Sequence, residues 1–534
     1  MPAKNSAEAD ALRHARTFAF PPDGPFVSPD ESPPDGFVEV GWDQNAKFPA
    51  YRVGGNDGEL IPFTPLAQFA PRDFAGDFYL DPFTDAAIKA RWREARKDAA
   101  TRERIMAKLA RNPVPHQFRV TGVLDPRGKI DAHGDVDLRA IRRPAFFGAD
   151  PWREEIAELD GRCSVVEIEA PREPYEALQM GLRDPIRLRG WHFVGDGVSD
   201  ARGDRVKALV VLVAGRSIET TAIHHPDDPP CLWSDQLQAW LATSYPNADG
   251  RTEGFGGRAW RTYVAAFVKA GFDVLTLDKR GHGISGGATD SNCNEQAEDI
   301  FRALDALETG RGARMVTPSG ELLEGASAAG RLLAGRSARG IPVVVSGASQ
   351  GCMVTCWAMH KNCVGPCDLD RPDPAKRDPY GYNLKAALLM APFGGGLGYR
   401  PPEDSLVEAA RREEFNVQMS PTSEVLAGIS QWPALFIGRG LWDFSESLEG
   451  SLACFRRARG PRMILAVRAS HGEGEWGAAN TRYMQAQMTE FATAALFGRG
   501  VEGWAEPTSV RDIVAAARAS WSEWAKPKGL RASL

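Results

Sequence analysis

Ser349 lies in the motif Gly-Ala-Ser-Gln-Gly at 347–351, between a strand-like and a helix-like segment. The apolar β-branched run at 343–345 predicts a buried strand, and the residues from 352 to about 360 are compatible with a helix. Strand, Gly-x-Ser-x-Gly and helix form the context of a nucleophile elbow. The sequence therefore predicts Ser349 as a nucleophile. The alternative is an ordinary serine in a Gly-rich turn, which would show the same five-residue motif.

A turn of this kind makes specific demands on its neighbours. Gly347 and Gly351 allow the adjacent backbone to pass close to the serine. The Ser349 hydroxyl is then expected at the carboxyl edge of a sheet. The N–H of Gln350, at the start of the helix, is expected to face a developing oxyanion.

A serine nucleophile needs a base within hydrogen-bond reach, and the base needs an orienting acid. His471 directly follows one predicted strand, and Asp443 follows the strand before it. The order Ser349, Asp443, His471 is the order Ser…Asp/Glu…His of one class of triad hydrolases. Glu446 is the alternative acid, while His282, in a Gly-rich turn before the serine, is interpreted as structural.

Strands and helices alternate from about residue 163 onward, which predicts a mostly parallel α/β sheet with right-handed crossovers. Continuous apolar runs indicate strands covered on both faces. Predicted strands begin near residues 163, 186, 207, 272, 343, 386, 433 and 463, and predicted helices span about 260–270, 295–308, 352–360 and 481–497.

Several local motifs together resemble the α/β-hydrolase superfamily. They are AGRS after the third predicted strand, DKRGHGISGG after the fourth, GASQG, the loop with Trp442-Asp443 and the loop with Ser470-His471-Gly472. The resemblance covers about 160–500. It implies a mostly parallel, doubly wound α/β-hydrolase sheet and a Ser-His-Asp triad, with carboxylic esters as the default substrate.

The loop after the third strand departs from the family. The family usually has His-Gly there, whereas this chain has Ala214-Gly215. The resemblance implies that a main-chain N–H of this loop, here that of Arg216, is the first oxyanion donor, with Gln350 supplying the second. The Arg216 guanidinium either holds an anionic substrate group or forms a structural salt bridge.

Other chemistries remain open on the same residues. A serine at the elbow suits esters, thioesters, lactones and amides, so a serine peptidase or amidase is one alternative, and a carbon–carbon bond hydrolase acting on diketones is another. A non-catalytic binding module is the third alternative, but such modules typically lack a triad member. No metal or organic cofactor is implied by the triad.

The 534 residues suffice for more than one domain. Residues 1–155 are predicted to form an accessory region, 156–500 the hydrolase core, and 501–534 a C-terminal helical extension. Insertions at about 217–258 and 394–430 are expected to rise over the carboxyl edge as lids, the second with a helix at 404–417. The first insertion contains His224 and His225, which either contact substrate or metal or belong to a solvated loop.

Charge and hydropathy bear on the partners and the compartment. The formal net charge of -6 gives no electrostatic reason for binding nucleic acid or an anionic membrane. No apolar run is long enough to span a bilayer, and the first twenty residues lack the apolar segment of a secretory signal. We therefore expect a cytoplasmic protein with a small ester-like substrate; a homo-oligomer is left open.

Eight cysteines in a chain of this length do not form a disulfide framework. Cys352, Cys356 and His360 would share one helix face, with Cys363 and Cys367 following. One interpretation is a zinc site, although zinc sites usually use Cys-x2-Cys pairs and none is present. The favoured interpretation is that small buried cysteines pack the helix behind the elbow.

Overall fold

A ten-stranded mixed β-sheet is the centre of the computed structural model. The structure describes residues 37–42, 49–53, 60–62, 91–111, 137–141, 159–172, 184–199, 203–215, 231–234, 239–242, 244–246, 252–254, 257–280, 285–287, 293–365, 378–392, 406, 410, 426, 429–440, 448–467, 477–501, 504 and 506–516.

The strands are numbered in chain order. They are β1 (Phe37–Trp42), β2 (Pro49–Val53), β3 (Leu60–Pro62), β4 (Cys163–Ala170), β5 (Ile186–Phe193), β6 (Val198–Ser199), β7 (Arg205–Val206), β8 (Leu209–Val213), β9 (Cys231–Ser234), β10 (Ala239–Ala242), β11 (Ser244–Pro246), β12 (Thr252–Gly254), β13 (Asp273–Leu277), β14 (Ala313–Val316), β15 (Leu322–Glu324), β16 (Val343–Ala348), β17 (Leu384–Met390), β18 (Ala434–Gly440) and β19 (Arg462–Val467).

The helices are numbered in the same way. They are α1 (Ala99–Arg111), α2 (Gly257–Lys269), α3 (Cys293–Thr309), α4 (Ala326–Leu332), α5 (Gln350–Cys363), α6 (Leu448–Arg457) and α7 (Gly477–Leu496). None of the helices within the described ranges is long and apolar enough to cross a membrane.

The ten strands lie in the order β15-β14-β4-β5-β13-β8-β16-β17-β18-β19. From β13 to β19 every neighbouring pair is parallel. From β15 to β13 every neighbouring pair is antiparallel. The sheet is therefore mostly parallel where the predicted catalytic loops leave it, as the sequence indicated.

Strand β8 shows why both faces of the sheet are covered. All five of its residues are buried. Val210 and Leu212 belong to one apolar cluster, which α2 and α7 complete, whereas Leu209, Val211 and Val213 belong to the other, which α3, α5 and α6 complete. Alternate side chains of β8 thus pack into two apolar cores, one on each face of the sheet, which explains the continuous apolar run in its sequence.

The hairpin β14–β15 and helix α4 were not predicted. The segment before β16 contains the short run Ala-Arg-Met-Val, in which arginine interrupts the apolar pattern. The guanidinium of Arg314 pairs with Glu167 across β4 at 2.9 Å, so a half-buried ion pair replaces an apolar contact there. Periodicity alone does not signal such a strand.

The insertions lie mostly outside the described residues. In the described parts of the first insertion β9 pairs with β10 and β11 pairs with β12, both antiparallel, before α2 begins at Gly257. The aromatic and β-branched residues of these segments suit short strands, and the expectation that the insertions form lids stays a prediction. In the second insertion, Leu406 and Ala410 pack against the buried Trp92 and Ile105 of the N-terminal region.

The regions flanking the core are described in part. Strands β1, β2 and β3 form a three-stranded antiparallel sheet within the region predicted as an accessory. Near the C-terminus, residues 510–516 are helical, and Val510, Ile513 and Val514 pack into the core cluster of α3 and α5. The domain limits themselves stay predictions.

Candidate active site

Ser349 occupies the turn between β16 and α5. Its backbone has φ 50° and ψ −117°, an uncommon conformation for a residue other than glycine. Such a conformation costs about 1–3 kcal/mol and persists only where the surroundings impose it. The hydroxyl makes no capping hydrogen bond to the first turn of α5. The strained turn that a nucleophile elbow requires is thus present at Ser349.

Two close approaches impose this turn. A Cβ built on Gly347 would lie 2.0 Å from the carbonyl oxygen of Gly351. A Cβ built on Gly351 would lie 2.2 Å from the carbonyl oxygen of Val213, at the end of β8. Any side chain at either position would collide with backbone, so the close approach of backbone that the sequence led us to expect at both glycines is present.

Hydrogen bonds hold the turn against the neighbouring strand. The Ser349 N–H donates to the carbonyl oxygen of Met390, at the end of β17, at 2.9 Å. The Cys352 thiol donates to the carbonyl oxygens of both Met390 and Gly347, each at 3.1 Å. Cys352 therefore ties the elbow to β17 from behind.

This role for Cys352 bears on the alternative of a zinc site. Cys352 and Cys356 are both fully buried, and burial raises the pKa of the Cys356 thiol well above its usual range. The imidazole of His360 instead meets the Trp357 ring edge-on, with centroids 5.6 Å apart. Within the described ranges no group of three His, Cys, Asp or Glu side chains is arranged to hold a metal ion. The packing interpretation accounts for these contacts.

The end of β8 lies directly beside the serine. A Cβ built on Gly215 would lie 3.2 Å from the Ser349 Cβ and 3.3 Å from the carbonyl oxygen of Ala348. The chain after Gly215, which the sequence predicts as an oxyanion donor, thus starts in contact with the elbow. Arg216 itself lies outside the described residues.

Lys279 joins the two segments that flank Ser349, although it belongs to none of the predicted catalytic motifs. Its Nζ donates to the carbonyl oxygen of Gly215 at 2.8 Å and to Oε1 of Gln350 at 2.7 Å. Lys279 is 7% exposed and Gln350 4%. Its position in the sequence could have indicated this role. Lys279 is the second residue after the buried strand β13 and stands directly before the RGHG turn, and residues that follow such a strand lie at the carboxyl edge of the sheet.

Buried ion pairs fix the loop that carries Lys279. The guanidinium of Arg280 binds the Asp299 carboxylate of α3 through two parallel hydrogen bonds of 2.8 and 2.7 Å. The hydroxyl of Ser285, farther along the loop, donates to the carbonyl oxygen of Asp278 at 2.6 Å. A bidentate pair of this kind sets direction as well as distance. The start of the Gly-rich loop is therefore rigidly attached to α3.

The predicted base and acid lie outside the described residues, as do Glu446, His282 and the pair His224 and His225. The structure does describe the strands that lead to the base and the acid. Strand β18 ends at Gly440 and β19 ends at Val467, and both run parallel to β16. The chain therefore leaves all three strands at the edge that carries Ser349.

Comparison with protein-family models gave no match, and neither did comparison with curated protein sequences. Solved structures did match. An esterase from Pyrococcus furiosus is 14% identical over 66% of this chain and 97% of its own, with a TM-score of 0.33. An acylaminoacyl peptidase from Pyrococcus horikoshii is 13% identical over 65% of this chain and 44% of its own, with a TM-score of 0.34. Est1E from Butyrivibrio proteoclasticus, with bound ferulic acid, is 12% identical over 58% of this chain and 95% of its own, with a TM-score of 0.32.

At these values the strand order, rather than the superpositions, identifies the fold. Apart from the edge hairpin β14–β15, eight strands remain, and in space the fourth in chain order, β13, lies between the second and the third. The second, β5, is antiparallel to both of its neighbours, and the fifth, β16, leads through the strained Ser349 into α5. The core of this chain has the α/β-hydrolase fold.

Proposed function

We propose that this chain is a serine hydrolase that cleaves a carboxylic ester, or a related acyl bond, through an acyl-enzyme on Ser349. The observation that carries the proposal is the backbone of Ser349, at φ 50° in the turn from β16 to α5. Strain of this kind is uncommon and is concentrated at functional sites. It supports the proposal because it lifts one hydroxyl to the carboxyl edge, where open α/β sheets bind ligands.

In the proposed reaction the Ser349 Oγ attacks the acyl carbonyl carbon while His471 accepts the hydroxyl proton. Asp443 orients the imidazole and stabilises its cation. The tetrahedral intermediate collapses as His471 protonates the leaving alcohol. Water then attacks the acyl-enzyme while His471 accepts its proton, and the acid leaves as His471 returns that proton to the Ser349 Oγ. No step needs a metal or an organic cofactor.

The lengths of the loops are compatible with this triad. Neighbouring strands lie about 4.8 Å apart, so β19 is roughly 14 Å and β18 roughly 10 Å from β16. His471 is the fourth residue after Val467, and Asp443 is the third after Gly440. At about 3.4 Å per extended residue these segments reach about 14 and 10 Å, before any side-chain length is added.

Two main-chain N–H groups are proposed to hold the oxyanion. Gln350 is the first residue of α5, so its N–H lies at the positive end of the helix dipole. The second donor is the N–H of Arg216, which follows the segment that touches Ser349. Each donor of this kind contributes about 10²–10³ in kcat.

Labelling with a fluorophosphonate, followed by peptide mass spectrometry, tests the nucleophile. We expect one adduct, on Ser349, and Ser349→Ala should lose both the adduct and hydrolysis, the latter by about 10⁴-fold or more. Ser346→Ala is the matched control, because Ser346 is fully buried in β16 and its Oγ has no hydrogen-bond partner within the described ranges. An adduct elsewhere, or an active Ser349→Ala, contradicts the proposal.

A substrate panel then separates the alternative chemistries. p-Nitrophenyl esters of increasing acyl length report esterase activity, aminoacyl anilides report peptidase or amidase activity, and a diketone reports carbon–carbon bond cleavage. We expect turnover of esters at rates well above those of the anilides and the diketone. Faster turnover of anilides or of the diketone would keep the Ser349 nucleophile but replace the assigned bond.

A further inference from the structure

The ammonium of Lys279 connects two segments that belong to different secondary-structure elements. It follows β13, yet it donates hydrogen bonds to Gly215 after β8 and to Gln350 at the start of α5. A buried lysine is rare because desolvation of its charge is costly, so its partners must compensate. Both contacted segments border Ser349, so the desolvated ammonium lies at the candidate active site.

The first contact acts on a peptide unit. The carbonyl of Gly215 and the N–H of the next residue belong to one planar group, and in a trans peptide they point in opposite directions. Because a hydrogen bond of 2.8 Å holds the Gly215 carbonyl, peptide planarity leads us to expect that the same bond restrains the direction of that N–H. Donation to the carbonyl oxygen additionally polarises the unit and strengthens its N–H as a donor.

The second contact acts on the other donor residue. The side chain of Gln350 accepts a hydrogen bond of 2.7 Å from Lys279, while its main-chain N–H lies in the first turn of α5. One ammonium therefore restrains two residues that border Ser349. Its positive charge, in a surrounding of low dielectric, also favours the development of negative charge nearby.

We propose that Lys279 is the positioning residue of the oxyanion hole: it fixes the Gly215 peptide unit and Gln350 so that their two N–H donors converge on the oxyanion. This role rests on the proposed function, since it presupposes an oxyanion formed by attack of Ser349. Lys279 acts through the two donors and does not itself contact the substrate. It should therefore affect the transition state and leave the binding of the ground state unchanged.

Lys279→Met tests this role, because it keeps the length of the side chain and removes the charge and the donors. With p-nitrophenyl esters we expect kcat to fall about 10- to 100-fold while KM changes by less than about threefold, since loss of one oxyanion donor costs about 10²–10³. The inhibition constant for an aryl trifluoromethyl ketone, which forms a tetrahedral adduct with the serine, should rise by a similar factor. An unchanged inhibition constant, or a change in KM alone, would overturn the proposal.

Lys361→Met is the matched control for the loss of a buried lysine. Lys361 lies on α5, is 2% exposed and pairs with Glu298 at 3.2 Å. We expect this variant to lose thermal stability and to keep the inhibition constant and the kcat per active site. An equal rise of the inhibition constant in Lys361→Met would assign the effect to general loosening and overturn the specific role of Lys279.

Two further variants keep the test decisive if Lys279→Met does not fold. Lys279→Arg retains charge and donors and should recover part of the lost kcat. Gln350→Ala keeps the main-chain N–H but removes the Lys279 acceptor, and it should raise the inhibition constant about three- to tenfold. An unchanged constant in Gln350→Ala, or a loss of kcat in Lys279→Arg as large as in Lys279→Met, would count against the proposal.

Active-site titration with the fluorophosphonate gives the concentration of competent enzyme for each variant. It also separates the two hypotheses. A wild-type chain that is not labelled at Ser349 contradicts the proposed function. A labelled wild-type chain, combined with Lys279→Met of normal kcat, contradicts the role of Lys279 alone.

Discussion

Gly351 lies against the last residue of a neighbouring strand: a Cβ on Gly351 would be 2.2 Å from the carbonyl oxygen of Val213. No rotamer change relieves this contact, because the obstacle is backbone. The start of α5 is therefore held at a distance from β8 that only glycine permits. The distance matters for function because β8 leads to Gly215, which borders Ser349.

We expect Gly351→Ala to lower the free energy of unfolding by about 1–3 kcal/mol or more, as overpacking does, and to reduce hydrolysis by displacing the elbow. Chemical denaturation and ester turnover measure the two effects. Gly330→Ala is the control: Gly330 lies within α4 with nothing within 4 Å of its Cβ position, so alanine there should stabilise the chain by about 0.5–1 kcal/mol. Equal effects of the two substitutions would contradict the close approach.

The strain at Ser349 predicts a stability difference between two inactive variants. Glycine tolerates φ 50° at no steric cost, whereas alanine does not. We expect Ser349→Gly to have a free energy of unfolding about 1–2 kcal/mol above that of Ser349→Ala. Ala334→Gly provides the comparison at φ 51° on an exposed position. If the two Ser349 variants unfold at the same denaturant concentration, the turn is not strained in solution.

Most of the sheet was predictable because its strands are buried on both faces. The run Leu209–Val213 of β8 and the run 343–345 of β16 are continuous and apolar, so the positions of these strands followed from hydrophobicity alone. The strand β14 was missed because its buried contacts include an ion pair between Arg314 and Glu167. Pattern recognition finds apolar burial and does not find charges that are buried in pairs.

The site could be predicted where local sequence determines geometry. The glycines at 347 and 351 signal a crowded turn, and the structure has that crowding at Ser349. Lys279 could not be found in this way, because its partners Gly215 and Gln350 are 64 and 71 residues distant in sequence. Contacts of that separation arise from the strand order of the sheet, which hydrophobic periodicity does not specify.

His192 predicts how stability depends on pH. It is 1% exposed on β5, where burial lowers its pKa, although the nearby Asp273 opposes this and Lys207 adds to it. As the pH falls, His192 is therefore protonated in the unfolded chain at a higher pH than in the folded one. Its contribution to the free energy of unfolding is fully present above about pH 6.5 and is lost below it, by up to about 1.4 kcal/mol per pH unit. Denaturation at several pH values should show this decline, and His192→Leu should remove it; a decline of the same slope in His192→Leu would assign it to other groups.

The proposed base predicts how turnover depends on pH. Hydrolysis requires neutral His471, so kcat/KM should fall as the pH drops through an apparent pKa of roughly 6–7. The measurement is initial-rate kinetics on a neutral ester, between limits at which the chain stays folded. A flat profile from about pH 5 to 8 would argue against a histidine base, and His471→Ala should then keep its activity instead of losing several orders of magnitude.

The identity of the acid is the last assignment to test. Asp443 is the third residue after the end of β18, and Glu446 is the sixth. Because a buried acid fixes the tautomer of the base, Asp443→Asn should lower kcat about 10³- to 10⁴-fold with little change in KM. Glu446→Gln is the matched substitution and should cost less than tenfold. The reverse pattern would move the acid to Glu446 and leave Ser349 and His471 in place, whereas large losses in both variants would mean that the two carboxylates act as one unit.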